Sequence, residues 1–237
     1  MFAFYSLALV VVFLGTVINI PGSLHINPLL LHFYEPHRVL FLTMLFLVLG
    51  AISRIIVMWD KIVWRDATTL AVWGLFGGIF GGYFVGIIPQ KIIVATFFLS
   101  GLFYIYKYIK RNEPQHQKQH GAFLSGFITA FFQAFGMSVG VLRQGYLFSK
   151  GYDLPTVQAT AAIAFITGGL ATIVTRMLHE PFFVKDTFSI LILFPFMLFT
   201  VYIAKRVIYK IPKNIQDKII IYSLLLSLAS AIPYLIA

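Results

Sequence analysis

The sequence predicts an all-α integral membrane protein built from two inverted repeats, each a broken, re-entrant helical hairpin followed by three transmembrane helices. Three observations lead there. Apolar runs long enough to cross a bilayer recur along the whole chain, and the first run of each half is interrupted by polar or helix-breaking residues. The Lys and Arg residues also segregate to one side only if those interrupted runs turn back on themselves.

The composition sets the solvent. Of 237 residues, 59% are hydrophobic and 11% charged, and the mean hydropathy is +0.89. A crossing needs roughly 20 mostly apolar residues. From Phe2 to Ile18 there is no formal charge, and the patch Asn19-Ile20-Pro21-Gly22-Ser23-Leu24-His25-Ile26-Asn27-Pro28 follows. Proline lacks the N–H and clashes with the preceding turn, so this patch is expected to break the helix. The N-terminal run has no preceding Lys or Arg and no small-residue cleavage pattern, so it reads as retained structure. Candidate spans follow at 39–57, 67–88, 92–109, 121–141, 156–175, 187–204 and 219–236. They leave no room for a separate soluble domain. The organisation expected is a first membrane repeat over 1–110, a polar linker over 111–120 and a second repeat over 121–237.

Charge placement chooses between topologies, because cytoplasmic loops concentrate Lys and Arg. A plain eight-helix 4+4 arrangement divides the 18 basic residues nine and nine. If 1–34 and 121–152 are re-entrant, each half makes three full crossings and the second is inverted. Four basic residues then lie outside (Arg38, Lys91, Arg176 and Lys185) and fourteen inside. An arm of about 14 residues reaches about 21 Å, past the middle of a core about 30 Å thick.

The halves also correspond faintly in their letters. Asn27-Pro28-Leu29-Leu30 aligns with Gln144-Gly145-Tyr146-Leu147, and the same offset relates Thr43 to Thr160. The first half continues through Glu35-Pro36-His37-Arg38, the basic-aromatic loop Trp59–Arg65 and a glycine series from Gly74 to Gly82. The second contains Gly136-Met137-Ser138-Val139-Gly140-Val141-Leu142-Arg143, Gly151–Pro155 and Gln158-Ala159-Thr160. Through these segments the chain resembles the TauE/SafE sulfite exporter family, also called the 4-toluene sulfonate uptake permease family. Members usually carry consecutive glycines where this chain has Pro21-Gly22-Ser23, and a proline where it has Gly145. The resemblance implies an exporter of sulfite, organosulfonates or similar small oxyanions.

Residue chemistry adds a candidate site. The N-terminus of a half-helix offers unsatisfied N–H groups and about half a positive charge, which suits an oxyanion. The outgoing arm of each hairpin is expected to begin near Ser23–Asn27 and near Ser138–Gln144. Ser23, His25, Asn27, Ser138, Arg143 and Gln144 are therefore the candidate substrate-binding residues, with Arg143 supplying a guanidinium fork. Each has a plain structural reading as well. Asn19, Asn27 and Gln133 can cap freed backbone, and Ser23 and Ser138 can let helices approach. His25 can bond a nearby carbonyl, and Arg143 can snorkel to the interface. The glycines from Gly74 to Gly86 read as a close-packing face.

Several classes are set aside. The net charge of +10 sits at span ends rather than on one amphipathic face, so no nucleic acid partner is expected. Cysteine is absent, which excludes disulfides and thiolate chemistry. His32, Glu35 and His37, like His179 and Glu180, hint at a metal, but no His-Glu-x-x-His spacing occurs and both groups fall at span ends. No cofactor and no enzymatic activity are expected. A transition-metal or other small-anion permease is the alternative, with an intramembrane enzyme behind it. All eight acidic residues fall in loops or at span ends, so no mid-span carboxylate is available for ion coupling. The expected setting is the inner (plasma) membrane, crossed many times, with the lipid bilayer and a small oxyanion as partners. A homo-oligomer stays open.

Overall fold

A computed structural model describes residues 2–17, 22–109, 121–137, 140–178 and 184–207, with isolated positions between 210 and 229. The linker 111–120, most of the expected last span, Ser138 and the pair His179-Glu180 lie outside the described residues. The described chain is helical, without strands.

Among the described residues, three helices are long and apolar enough to cross a membrane: α3 (Pro36–Val57), α4 (Trp64–Ile87) and α8 (Leu154–Arg176). At 1.5 Å per residue they measure about 33–36 Å. Proline opens two of them at a position whose N–H has no intrahelical acceptor, Pro36 in α3 and Pro155 in α8. Asp153 caps α8 by accepting from the Thr156 N–H at 3.2 Å. Helix α5 (Gln90–Ile109) follows α4.

Around these lie shorter pieces. The first hairpin comprises α1 (Phe2–Val17) and α2 (Gly22–Leu30). The second comprises a π-helical turn (Leu124–Ile128) running into α6 (Thr129–Ala134), then α7 (Gly140–Phe148). The outgoing arm was expected to begin near Ser23–Asn27, and α2 begins at Gly22; Pro28, counted among the helix-breaking residues, lies inside it. Pro28 withdraws one donor, and the next turn still closes through the Leu31 N–H on the Asn27 carbonyl at 3.1 Å. A second difference concerns 187–204, expected as one span. It is two helices, α9 (Val184–Leu191) and α10 (Phe194–Val207), separated by a turn at Ile192-Leu193. Pro195 accounts for it, because its ring cannot donate back to Leu191 and restricts the residue before it.

Contacts order the pieces along two ends of α3. At one end, which we call the His37 end, Arg176 donates to the His37 carbonyl at 2.7 Å. An open cleft of about 410 Å³ there is lined by Leu31, Tyr34, Glu35, Gln90 and Lys91, among others. At the other, the Trp59 end, Lys205 donates to the Val57 carbonyl at 2.8 Å and the Val63 N–H to Thr160 Oγ1 at 3.1 Å. Helix α1 advances toward the Trp59 end, with Val12 beside Gly50 and Thr16 beside Arg54. Helix α2 then returns, Gly22 at the level of Leu47 and Leu31 at the His37-end cleft. The second hairpin runs the opposite way. Gly126 lies against Leu70, Phe127 against Gly77 and Phe131 against Gly81, after which Tyr146, Lys150 and Tyr152 come back to Asp66.

The glycines of α4 explain how tightly the second hairpin seats. Gly77 and Gly81 face it, while Gly74, Gly78 and Gly82 face α8. A Cβ on Gly78 would come within 2.2 Å of the Gly168 carbonyl oxygen. Small residues let membrane helices meet backbone to backbone, where dispersion and weak polar contacts replace the hydrophobic effect. Thr172 Oγ1 bridges the same seam, donating to the Gly168 carbonyl at 2.9 Å or the Gly78 carbonyl at 3.2 Å. The opposite face of α4 exposes Phe76, Ile79, Phe80, Tyr83 and Phe84, the apolar side a bilayer would cover.

Candidate functional site

The second hairpin turns at a residue only glycine accommodates. Gly136 has φ +75°, and it ends α6 with the Gly136 N–H on the Gln133 carbonyl (2.9 Å) and the Met137 N–H on the Phe132 carbonyl (3.2 Å). This pair of bonds satisfies the last carbonyls of α6 and reverses the chain. The tip is held from three sides. Thr96 Oγ1 of α5 reaches the Phe135 carbonyl at 3.3 Å, and Phe97 and Leu40 close on Gly136. From the first hairpin, Asn27 Nδ2 donates to the Gly136 carbonyl at 3.3 Å. The two hairpins thus meet through a polar contact between fully buried groups.

Behind this tip lies Arg143, which is only 3% exposed. Its guanidinium donates to the Ala161 carbonyl of α8 at 3.1 Å and to Gln133 Oε1 at 3.0 Å, and lies 5.8 Å from the centre of the Phe165 ring. Gln133 is oriented in turn by Nε2 on Met44 Sδ at 3.5 Å. Every acceptor around Arg143 is neutral, and among the described residues no carboxylate pairs with it. Two of its five N–H donors are engaged, and Nε is buried without a partner. An uncompensated guanidinium in a low-dielectric interior is costly, and an anion beside it removes much of that cost. Asn27 adds an unmet group as well: its Oδ1 is buried and unpartnered while the residue is 0% exposed.

The remaining candidates spread around these two. Helical spacing puts Ser23 and Asn27 on one face of α2 and His25 on the other, with all three buried. Gln144 follows Arg143 directly on α7, so it points about 100° away, and it is half-buried. Ser138 lies outside the described residues. Residues to which the sequence reading gave no binding role stand beside the candidates. Gln133 holds the arginine, and Gly136 is the contact point between hairpins. Gln158 of α8 donates Nε2 to the Thr16 carbonyl at 2.8 Å. A lone Gln inside an apolar run was the available signal for Gln133 and Gln158, since burial of an amide requires partners.

Three apolar spans among the described residues, with two broken hairpins that meet at Asn27 and Gly136 and an arginine buried among neutral acceptors in the second, fit a helical membrane protein of the transporter class. The chain belongs to the sulfite exporter TauE/SafE family, whose family model matches residues 4–232, nearly its full length. That family comprises membrane transporters of sulfite or related anions. No curated protein and no solved structure matches the chain.

Proposed function

We propose that this protein exports small sulfur oxyanions, of the sulfite and organosulfonate class, across the inner (plasma) membrane from a site between its two broken hairpins. The observation that carries the reading is Arg143: a buried guanidinium, held only by neutral acceptors, matches one anionic charge. The proposed ligand set is Arg143 with Asn27 and Ser23 nearest the hairpin contact, and His25, Ser138 and Gln144 around it. Two inverted repeats, 1–110 and 121–237 joined by the linker 111–120, support alternating exposure of such a site. The opposite directions of the two hairpins favour this arrangement over a plain 4+4 topology. The Trp59 end, with Arg54, Lys61, Arg65, Lys150 and Lys205, is then cytoplasmic. An inside-negative potential drives anions outward by about 2.3 kcal/mol per charge per 100 mV, so export by uniport needs no coupling ion.

The test is sulfite flux into and out of proteoliposomes under an imposed potassium-diffusion potential. The wild type should show potential-dependent flux that organosulfonates compete. Arg143→Gln should abolish it while the protein still folds, because a neutral side chain relieves an unpaired buried charge. Sulfite flux unchanged in Arg143→Gln, or insensitive to potential, rules the reading out.

A further inference from the structure

A second cation without a carboxylate lies near the tip of the first hairpin. Arg54, in the last turn of α3, is half-buried, and among the described residues the one polar contact of its guanidinium is Nε on Thr16 Oγ1 at 3.4 Å. The neighbouring acids are committed elsewhere. Asp66 accepts from Lys150 and two tyrosines, and Asp60 lies 3.5 Å from Lys205 and 4.0 Å from Lys61. Thr16 links Arg54 to Gln158, since its hydroxyl receives Arg54 and its carbonyl receives Gln158 Nε2. Gln158 is 4% exposed, and its Oε1 is buried without a partner among the described residues.

The position of this cluster gives it meaning. Gln158 precedes Ala161, whose carbonyl receives Arg143, by three residues on α8. That is less than one helical turn, a rise of about 4.5 Å, and puts the two residues on one face. Gln158 therefore lies on the Trp59 side of the Arg143 contact along α8, and Thr16 brings Arg54 of α3 to the same level. The Arg54 terminal nitrogens are not among the buried unpartnered atoms, whereas Arg143 Nε is. We propose that Arg54, positioned by Thr16, whose own hydroxyl donates to the Val12 carbonyl at 2.9 Å, forms with Gln158 a second oxyanion position, which captures the anion from the Trp59 side and passes it to Arg143. This inference rests on Arg143 holding the transported anion. An oxyanion that carries a proton, such as hydrogensulfite, accepts from the guanidinium and offers Gln158 Oε1 the donor it lacks.

The experiment measures sulfite uptake separately in right-side-out and inverted membrane vesicles, comparing wild type, Arg54→Gln, Arg54→Lys, Gln158→Glu and Arg143→Gln. Losing a charge-assisted contact should raise the half-saturating sulfite concentration about tenfold or more in Arg54→Gln. That increase should appear only for sulfite offered from the Trp59 side, with the opposite side unchanged. Arg54→Lys, which keeps the charge, should recover most of the affinity. Gln158→Glu, which places a carboxylate beside Arg54, should reproduce the one-sided defect in a chain whose charge is paired internally. Equal half-saturation from both sides in Arg54→Gln overturns the proposal, as does an equal loss from both sides. Normal uptake in Arg143→Gln would instead refute the central site, and a one-sided Arg54→Gln defect in the same series separates the two failures.

Discussion

The first hairpin packs on its neighbours through side chains, whereas the second is pressed backbone to backbone against α4. Gly22, at the start of α2, has only the Leu47 and Val11 side chains near a virtual Cβ, the closest at 2.8 Å. Gly77, on the α4 face that receives the second hairpin, would place its Cβ 2.3 Å from the Phe127 carbonyl oxygen. Charge follows the same division. The second hairpin carries Arg143 within its own arm, while the first contributes neutral Asn27 and Thr16 and borrows Arg54 from α3. The rigidly seated hairpin is therefore the one that holds the buried charge, as an uncompensated guanidinium requires a site whose dipoles cannot drift.

The largest effect should come from the seam itself. Gly77→Ala has no compliant neighbour to move, so the helix and hairpin must separate, at a cost of about 3 kcal/mol or more. Gly22→Ala, at the first residue of α2, meets a leucine methyl that can rotate aside, so it should cost far less. Thermal melting of the detergent-purified variants checks both. Equal destabilisation would erase the contrast between the hairpins.

A smaller effect is expected where the hairpins touch. Asn27→Ala removes a donor from the buried Gly136 carbonyl, worth about 1–3 kcal/mol, and should cut sulfite flux with expression retained. Gly136→Ala strikes the same contact from the other side. A non-glycine residue in the left-handed region costs about 1–2 kcal/mol, and its Cβ would lie 2.3 Å from Phe97 Cε1. If the two act through one contact, the double variant should lose less than the sum in a flux and stability cycle. Strict additivity would mean that the hairpins function independently.

The sequence carried the spans and the existence of both breaks, because length, hydropathy and backbone chemistry are local properties. Helices α3, α4, α5 and α8 begin and end within three residues of the expected spans. Pro28 and Pro195 show where local reasoning stopped short. One proline is tolerated inside α2, whose next turn still closes, and the other divides an apolar run whose hydropathy gives no sign of it. The site was half legible. Arg143 and Asn27 stood out as polar residues in apolar surroundings, but their partners come from other elements: Gln133 and Ala161 for one, Gly136 for the other. Pairings across more than a hundred residues, such as Asn27 with Gly136 or Thr16 with Gln158, leave no local pattern to read.

The smallest expected effect concerns how the second hairpin is tied down where it leaves the bundle. Asp66, 5% exposed at the start of α4, accepts from Lys150, from Tyr152 at 2.9 Å and from Tyr146 at 3.4 Å, and Lys150 lies over the Tyr146 ring. Burial pulls the Lys150 ammonium down, and its bonds and charge interactions with Asp66 and Tyr146 more than reverse this, leaving it above its ordinary value. Tyr152 is raised by its hydrogen bond to Asp66, with burial adding to it. Groups whose values rise on folding stabilise the fold fully below their unfolded values and lose that contribution as pH climbs through the folded ones. The tie should thus be constant across neutral pH and weaken in the alkaline range, above the ordinary values of 10.5 for Lys and 10.0 for Tyr. Asp66→Asn should lower the melting temperature by a few degrees at neutral pH and flatten the alkaline decline seen in the wild type. An alkaline decline that persists undiminished in Asp66→Asn would show that the second hairpin is held by the glycine seam alone.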